Sequence, residues 1–258
     1  DRLRNVSFTE PYARSRQVII VKAVHGGVRS QSVAQKFRQD FLVEGRYLYL
    51  LQGLGNTLVI TLFAIIISFF LGSLIAIVRT THDRTGRYIV LNALCKFYLV
   101  IIRGTPTMVQ LLIIYYVIFA AADVSKVLVA IVAFGINSSA YLAEVVRSGI
   151  MSIDRGQSEA GRSLGLSYSQ TMRLIILPQA FKNVLPAIGN ELITLLKETS
   201  ISGYIGLVDL TKGSDIIRSI TYDAMLPLGV VALIYLAIVL SLSSAVGTLE
   251  KKLRKNER

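Results

Sequence analysis

The apolar residues of this chain fall in long blocks, separated by shorter stretches that are basic and sharply bounded. Leu54–Val78 is apolar apart from small and hydroxyl residues. A helix of its ~25 residues, rising ~1.5 Å per residue, spans a hydrocarbon layer of roughly 30 Å. Tyr88–Arg103 is amphipathic and Pro106–Ala122 is apolar. Together they predict a helix that approaches along an interface and then crosses, with a break near Gly104-Thr105-Pro106. After a short loop, Ala121–Lys126, a third run extends from Val127 to Ile136 and continues as NSSAYLAEVVRSGI, so this crossing ends in charge. The last apolar run is Met225–Val246. Ahead of it stands a polar, helix-forming island, Glu159–Pro178 (EAGRSLGLSYSQTMRLIILP).

Charge gives these blocks a direction. Arg79, Arg84 and Arg87 follow the first run, Arg147, Arg155, Arg162, Arg173 and Lys182 surround the island, and Lys251, Lys252, Arg254 and Lys255 follow the last run. An excess of Lys and Arg beside a span marks its cytoplasmic end, although Arg38 and Arg46 ahead of the first run weaken its contrast. The island and the C-terminus therefore share a side, and a single crossing cannot join them. A second one is required between Phe181 and Tyr222. The candidate is Pro186–Val208, which hydropathy passes over because it carries Glu191, Lys197 and Glu198. Such a segment stands in a bilayer only when its polar face lines protein or a water-filled cavity. The expected fold is an all-α polytopic membrane protein with five transmembrane helices, N-terminus outside and C-terminus inside. Its membrane domain covers residues 51–250, with a cytoplasmic helical loop at about 152–180 and a basic tail at 251–258.

Composition supports the membrane reading. Of 258 residues, 53% are hydrophobic and 17% charged, against about 25% charged in a soluble domain. The net charge of +12 is spread between apolar runs, with no compact basic patch interleaved with stacking aromatics, so nucleic acid is not expected as a partner. Cys95 is the only cysteine, so no internal disulfide is available, and His25 and His82 lack metal-ligand spacing, so no metal is expected. No Walker A phosphate cradle is present, so no nucleotide cofactor is expected on this chain. Nor is there a nucleophile, base or metal set of the kind an intramembrane enzyme requires. The chain opens on Asp1 without methionine or signal peptide, as a fragment or processed product does.

The spacing within the island is Glu159-Ala160-Gly161, three residues, Gly165, nine residues, Ile175-x-Leu177-Pro178. It resembles the cytoplasmic docking loop of the membrane subunits of ABC importers, where the usual start is Glu-Ala-Ala and Gly161 is a small-for-small departure. Further matches occur in order: YLLQGLGNTL before the first span, RGTP at Arg103–Pro106, AYLAEVVRSGI at Ala140–Ile150, GQSEA at Gly156–Ala160, LPQAFKNVLPAIGN at Leu177–Asn190 and LLKETSI at Leu195–Ile201. From about Tyr47 to the C-terminus the chain closely resembles the permease subunits of polar amino-acid ABC importers, the histidine, arginine, glutamine and glutamate group.

The resemblance implies a transport subunit that pairs with a second permease subunit and two cytoplasmic ATPase subunits, which use ATP. A polar amino acid would be delivered by an extracytoplasmic solute-binding protein. The docking residues would be Glu159, Ala160, Gly161, Gly165, Leu177 and Pro178. Glu159-Ala160-Gly161 would open a first helix, Gly165 would turn the chain into a second, and Pro178 would end that second piece. Homodimer and heterodimer both remain open. Residues 1–50 carry nine Lys/Arg against four Asp/Glu. Within them VSFTEPYARSRQVIIVKA, with a strand pattern at Gln17–Ala23, resembles a segment of extracytoplasmic amino-acid-binding proteins. Residues 1–28 then read either as the remnant of a fused solute-binding domain or as an N-terminal extension, with 29–50 as linker.

Asn137, Tyr141 and Glu144 lie at i, i+4 and i+7 on one helix face. Glu191 and Glu198 share a face of the hidden span, as do Asn190, Thr194 and Lys197. Ionisable groups at membrane depth are paired or functional, and two readings are open. One is a polar substrate pathway through Asn137, Tyr141, Glu144, Glu191, Lys197 and Glu198, with Tyr141 and Glu144 foremost. The other is structural pairing, Arg103 with Glu144 and Arg147 at a helix end. A self-contained secondary transporter is the alternative class, but it would show inverted repeats with paired broken helices, and a second copy of the polar span is not found.

Overall fold

The structure, a computed structural model, describes residues 32–255. The strand expected at Gln17–Ala23, and with it the segment 1–28, lies outside the described residues. Every described element is helical. A capping box between Ser32 and Gln35 starts α1 (Val33–Phe37). A π turn, Arg38–Leu42, and a 3-10 turn, Val43–Gly45, lead into α2 (Tyr47–Thr85). Then come α3 (Ile89–Gly104), α4 (Thr107–Ile113) with a π turn at Ile114–Ile118, α5 (Lys126–Met151), α6 (Arg155–Ser163) and α7 (Tyr168–Thr171). A third π turn, Met172–Ile176, joins α7 to α8 (Leu177–Glu198), and a 3-10 stretch, Thr199–Ile205, precedes α9 (Leu210–Thr221) and α10 (Met225–Lys255).

Among the described residues, three helices are long and apolar enough to cross a membrane, over Tyr47–Thr85, Lys126–Met151 and Met225–Leu253. The pair Ile89–Gly104 and Thr107–Ile118 passes as a fourth only if its 108° bend belongs to one span. The bend falls at the expected break. Thr105 is extended (φ −122°, ψ 146°), because the ring of Pro106 disfavours the helical region for the residue before it.

The helices meet through small residues. On α2 the buried positions include Gly53, Thr57, Thr61, Ala64, Ser68, Gly72 and Ala76, whereas Leu62, Phe63, Phe70 and Leu74 are exposed. A water-soluble helix buries its large apolar side chains. This one turns them outward and uses small residues to let backbones approach, as helices in lipid do. The chief partner of the stripe is α5, where Gly72 faces the backbone of Ser139 and Ala143, and Ile67 faces Gly135. At the start of α2, Gly53 lies against the backbone of Asp209 and Leu210, and Gly213 of α9 lies against that of Tyr49. The Asn56 amide donates to the Val208 carbonyl at 2.8 Å, and the Leu210 N–H donates to Thr57 Oγ1 at 3.2 Å. Only 11% of the apolar window of α10 is buried, which leaves most of its surface for another environment.

The bundle has two ends. Ala76, Val146, Ile150, Ile153, Ile176, Ala180 and Val184 cluster at the loop end, where α2 and α5 finish and α8 begins. Phe41, Leu50, Leu210, Ile217 and Val231 gather at the opposite end. From there α10 runs back toward the loop end, its Val246 seated on Gly189 of α8.

Two expectations about the polar segment need correction. The hidden helix begins at Leu177, not Pro186, and Pro186 lies inside it. Internal proline costs about 3 kcal/mol, yet the helix continues because Val184, Ile193, Leu195 and Leu196 on either side are buried. Nor does Pro178 end a helix. It stands in the first turn of α8, where its missing N–H is not needed. The π turn before it keeps the chain helical, with the Leu177 N–H donating to the Met172 carbonyl.

Asp209 starts α9 by accepting the Lys212 N–H at 2.9 Å on Oδ1, while its Oδ2 is buried without a partner. Burial raises its pKa to about 6. The folded state thus favours the protonated acid, and stability is lost as pH rises from about 4 through 6. Asp209→Asn, which keeps the cap, should therefore raise the melting temperature at pH 8. The gain should vanish near pH 4; thermal unfolding in detergent at both pH values measures it.

Candidate functional site

At the loop end, Asp154 caps α6 through a 2.6 Å bond from the Gly156 N–H to Oδ1. The helix thus opens at Arg155, one turn before the Glu159-Ala160-Gly161 expected to open it. Its end is closed by paired bonds, Gly165 N–H to the Arg162 carbonyl at 2.9 Å and Leu166 N–H to the Gly161 carbonyl at 3.0 Å. This closure needs a left-handed residue, and Gly165 supplies it at φ +76°. The Ser167–Gln170 capping box then starts α7. Gly161 is buried, and a Cβ there would lie 2.7 Å from Thr171 Oγ1 and Cγ2. Its missing side chain thus admits the chain's own α7. Glu159 and Ala160 are exposed, as is Leu164 at 78%; Leu177 is half-buried and Pro178 exposed.

Deeper in the bundle, the polar residues around Asn137, Glu144 and Glu191 fall into three groups. Glu144 of α5 pairs with Arg79 of α2, with Arg147 at 3.3 Å and with Arg103 at 4.0 Å; Arg147 also reaches Asp83 at 3.4 Å. The Arg103 guanidinium lies 5.7 Å from the centre of the Tyr141 ring, and both side chains retain exposure. The pairing of Arg103 with Glu144 is present, but Arg79 is the closer partner. Arg147 ties α5 to α2 rather than capping a helix end.

The second group holds the α3–α4 bend. Gln110 Nε2 donates toward the Ile102 carbonyl at 2.7 Å, the Thr105 carbonyl at 3.1 Å and Thr105 Oγ1 at 2.6 Å. Its Oε1 accepts from Asn137 Nδ2 at 2.8 Å. The third is a relay from Ser68 Oγ to Ser138 Oγ (2.9 Å) to Glu191 Oε1 (2.7 Å), joining α2, α5 and α8. Asn137 and Glu191 are thus brought into separate interhelical networks, while Lys197 is exposed and Glu198 half-buried nearer the far end of α8. Sequence reasoning missed Arg79, Gln110 and the serine pair. Only the position of Gln110, four residues after a helix-breaking Pro106, hinted at its role.

Residues 68–255 match the family of binding-protein-dependent transport system inner membrane components. The chain belongs to this family. It is a multi-pass membrane permease, as expected, and the match favours that reading over a secondary transporter. It is 38% identical to the arginine transport system permease protein ArtQ of Bacillus subtilis, over 81% of this chain and 94% of ArtQ. It is 35% identical to the putative glutamine transport system permease protein GlnP of Rickettsia typhi, over 82% and 95%. The crystal structure of an amino acid ABC transporter with histidines superposes with TM-score 0.73 at 39% identity, over 82% of this chain and 98% of that one. The inward-facing methionine ABC transporter MetNI shares the fold at 21% identity, with TM-score 0.67 over 79% of this chain and 95% of that one.

The Gln110 clamp yields a direct test. Gln110→Leu fills similar volume but leaves two carbonyls and the Asn137 amide without their partner, at a cost of about 3 kcal/mol. Its melting temperature in detergent should fall well below that of Leu112→Ala, two residues further along the same helix, measured side by side.

Proposed function

We propose that this permease is the membrane subunit of an ATP-driven importer of a polar amino acid. The supporting observation is the near-complete coverage of permeases named for arginine and glutamine transport, joined to a preformed helical loop at one end of the bundle. In this reading the chain crosses the membrane five times, by α2, the bent α3–α4 pair, α5, α8 and α10, N-terminus outside and C-terminus inside. The ~33 Å length of α8 suits a crossing, and its Glu191 is satisfied by Ser138 within the protein. The membrane domain takes in residues 51–250, and residues 1–28 are the end of a solute-binding domain that delivers substrate.

A second permease subunit completes the pathway. Two ATPase subunits dock at Glu159–Pro178 and use ATP, and this chain makes and breaks no covalent bond itself. α6 and α7 then act as a lever moved as a rigid body by the ATPases. Tyr141 and Arg103 offer substrate an aromatic face and a carboxylate partner, while Glu144 sets the charge beside them. Asn137, Glu191, Lys197 and Glu198 line or support the same route.

Three measurements test this. Uptake of a polar amino acid into proteoliposomes should require the ATPase, ATP and binding protein; uptake driven by an ion gradient alone overturns the proposal. Gly165→Val forces a branched residue into the left-handed region, at about 1–2 kcal/mol, and should abolish ATPase co-purification while membrane insertion persists. Normal co-purification removes Gly165 from the docking element. Glu144→Gln should impair uptake of a cationic substrate more than assembly; equal loss of both assigns Glu144 to the structural network alone.

A further inference from the structure

A cavity separates one side of α6 from the end of α2. Arg155, Ser158, Glu159 and Arg162 recur at helical spacing along that side and line this cavity of about 430 Å³ with Asp83 and Arg84 opposite. Asp83 is engaged by Arg147, whereas Arg84, Arg155, Arg162 and Glu159 form no ion pair among the described residues. Their balance is two positive charges. Tyr168 and Thr171 also line the cavity, and the hydroxyl oxygens of both are buried without a hydrogen-bond partner; Thr171 is 2% exposed. Unsatisfied hydroxyl donors beside unpaired guanidiniums form the lining of an oxyanion site.

A second cavity adjoins it. Tyr168 borders both, and the neighbour, about 920 Å³, is walled on its apolar side by Ile77, Val78, Leu91, Met172 and Leu177. A cavity with donors and guanidiniums next to an apolar trough, at the point where a long apolar helix ends, matches one molecule in both halves. The geometry points to a lipid phosphate site. An anionic phospholipid places its headgroup phosphate among Arg84, Arg155, Arg162 and the Tyr168 hydroxyl, and lays an acyl chain along the trough. Basic pockets between helices at a membrane surface hold lipid headgroups on the same physical grounds.

The consequence is mechanical. Among the described residues, α6 is held chiefly by its neighbours α7 and the π turn, by contacts such as Gly161 on Thr171. A bound phosphate would bridge it directly to α2 and stiffen the loop that the proposed function makes a lever. The inference rests on that reading only for placing the loop end at a membrane surface.

The test uses the full chain in nanodiscs, of phosphatidylcholine alone or with phosphatidylglycerol added, and follows amide exchange over residues 155–163. The anionic lipid should slow exchange there by about tenfold, as a ligand that binds only the closed state does. Tyr168→Phe should cut the protection about fivefold, the worth of one hydrogen bond. The combined Arg84→Gln, Arg155→Gln, Arg162→Gln variant should lose it, with exchange in α5 unchanged as the check on folding. Inorganic phosphate titrated into phosphatidylcholine discs separates the sources. Equal protection by phosphate alone overturns the lipid assignment in favour of a free anion. Equal exchange under all conditions overturns the site. Both results leave ATP-dependent uptake standing, so failure here is distinct from failure of the transport reading.

Discussion

Close approach of α2 and α5 is the constraint from which the rest of the bundle follows. Without water around them, two helices gain little by burying leucine, because lipid is as apolar as leucine; contact must come from packing and hydrogen bonds. The seam supplies both. Gly72 and Gly135 remove the side chains that would hold the backbones apart, and Ser68 and Ser138 exchange a hydroxyl bond in the space that results. Once the two helices lie this close, Ser138 is positioned to satisfy Glu191, so α8 gains a fixed place beside them. Arg79 and Glu144 seal the same pair nearer the loop end. The polar groups that look costly in a linear reading are therefore the ones that specify which helix neighbours which.

The α3–α4 bend shows the same economy of polar groups. A turn at Pro106 leaves backbone carbonyls without helical donors, and unpaired carbonyls are expensive where water is scarce. One glutamine answers them. Gln110 donates toward the carbonyls of Ile102 and Thr105 while its own oxygen is held by Asn137, so the bend is pinned to α5 rather than left as a hinge. Arg103, on the last turn before the break, keeps its exposure and reaches Tyr141.

Much of this was legible in the sequence because the bilayer imposes length and charge rules that survive without coordinates. The apolar runs, the break at Gly104–Pro106 and the turn at Gly165 all follow from composition and local sterics. Boundaries were less legible. Pro186 reads as a helix start because proline usually disrupts a helix interior, but burial of Val184 and Leu195 outweighs that tendency. Pro178 reads as a stop, yet the π turn before it hands the helix on. The polar networks were hardest to foresee, since pairing depends on which faces meet. Asn137 and Glu144 share a face of α5 but serve different partners, Gln110 on α4 and Arg79 on α2. The serines gave no signal at all, because a small hydroxyl residue in an apolar run is ordinary until its neighbour across the seam is known.

The unbroken helical course from Tyr168 to Glu198 has a geometric corollary. Its two α-helical pieces and the π turn between them follow one another without a break, a helical path of up to about 46 Å. If one end is held, a tilt of about five degrees carries the other by about 4 Å over such a length, more than the width of a water molecule. Gearing of this kind needs no hinge and no local unfolding, only a shaft stiff enough to turn as one piece.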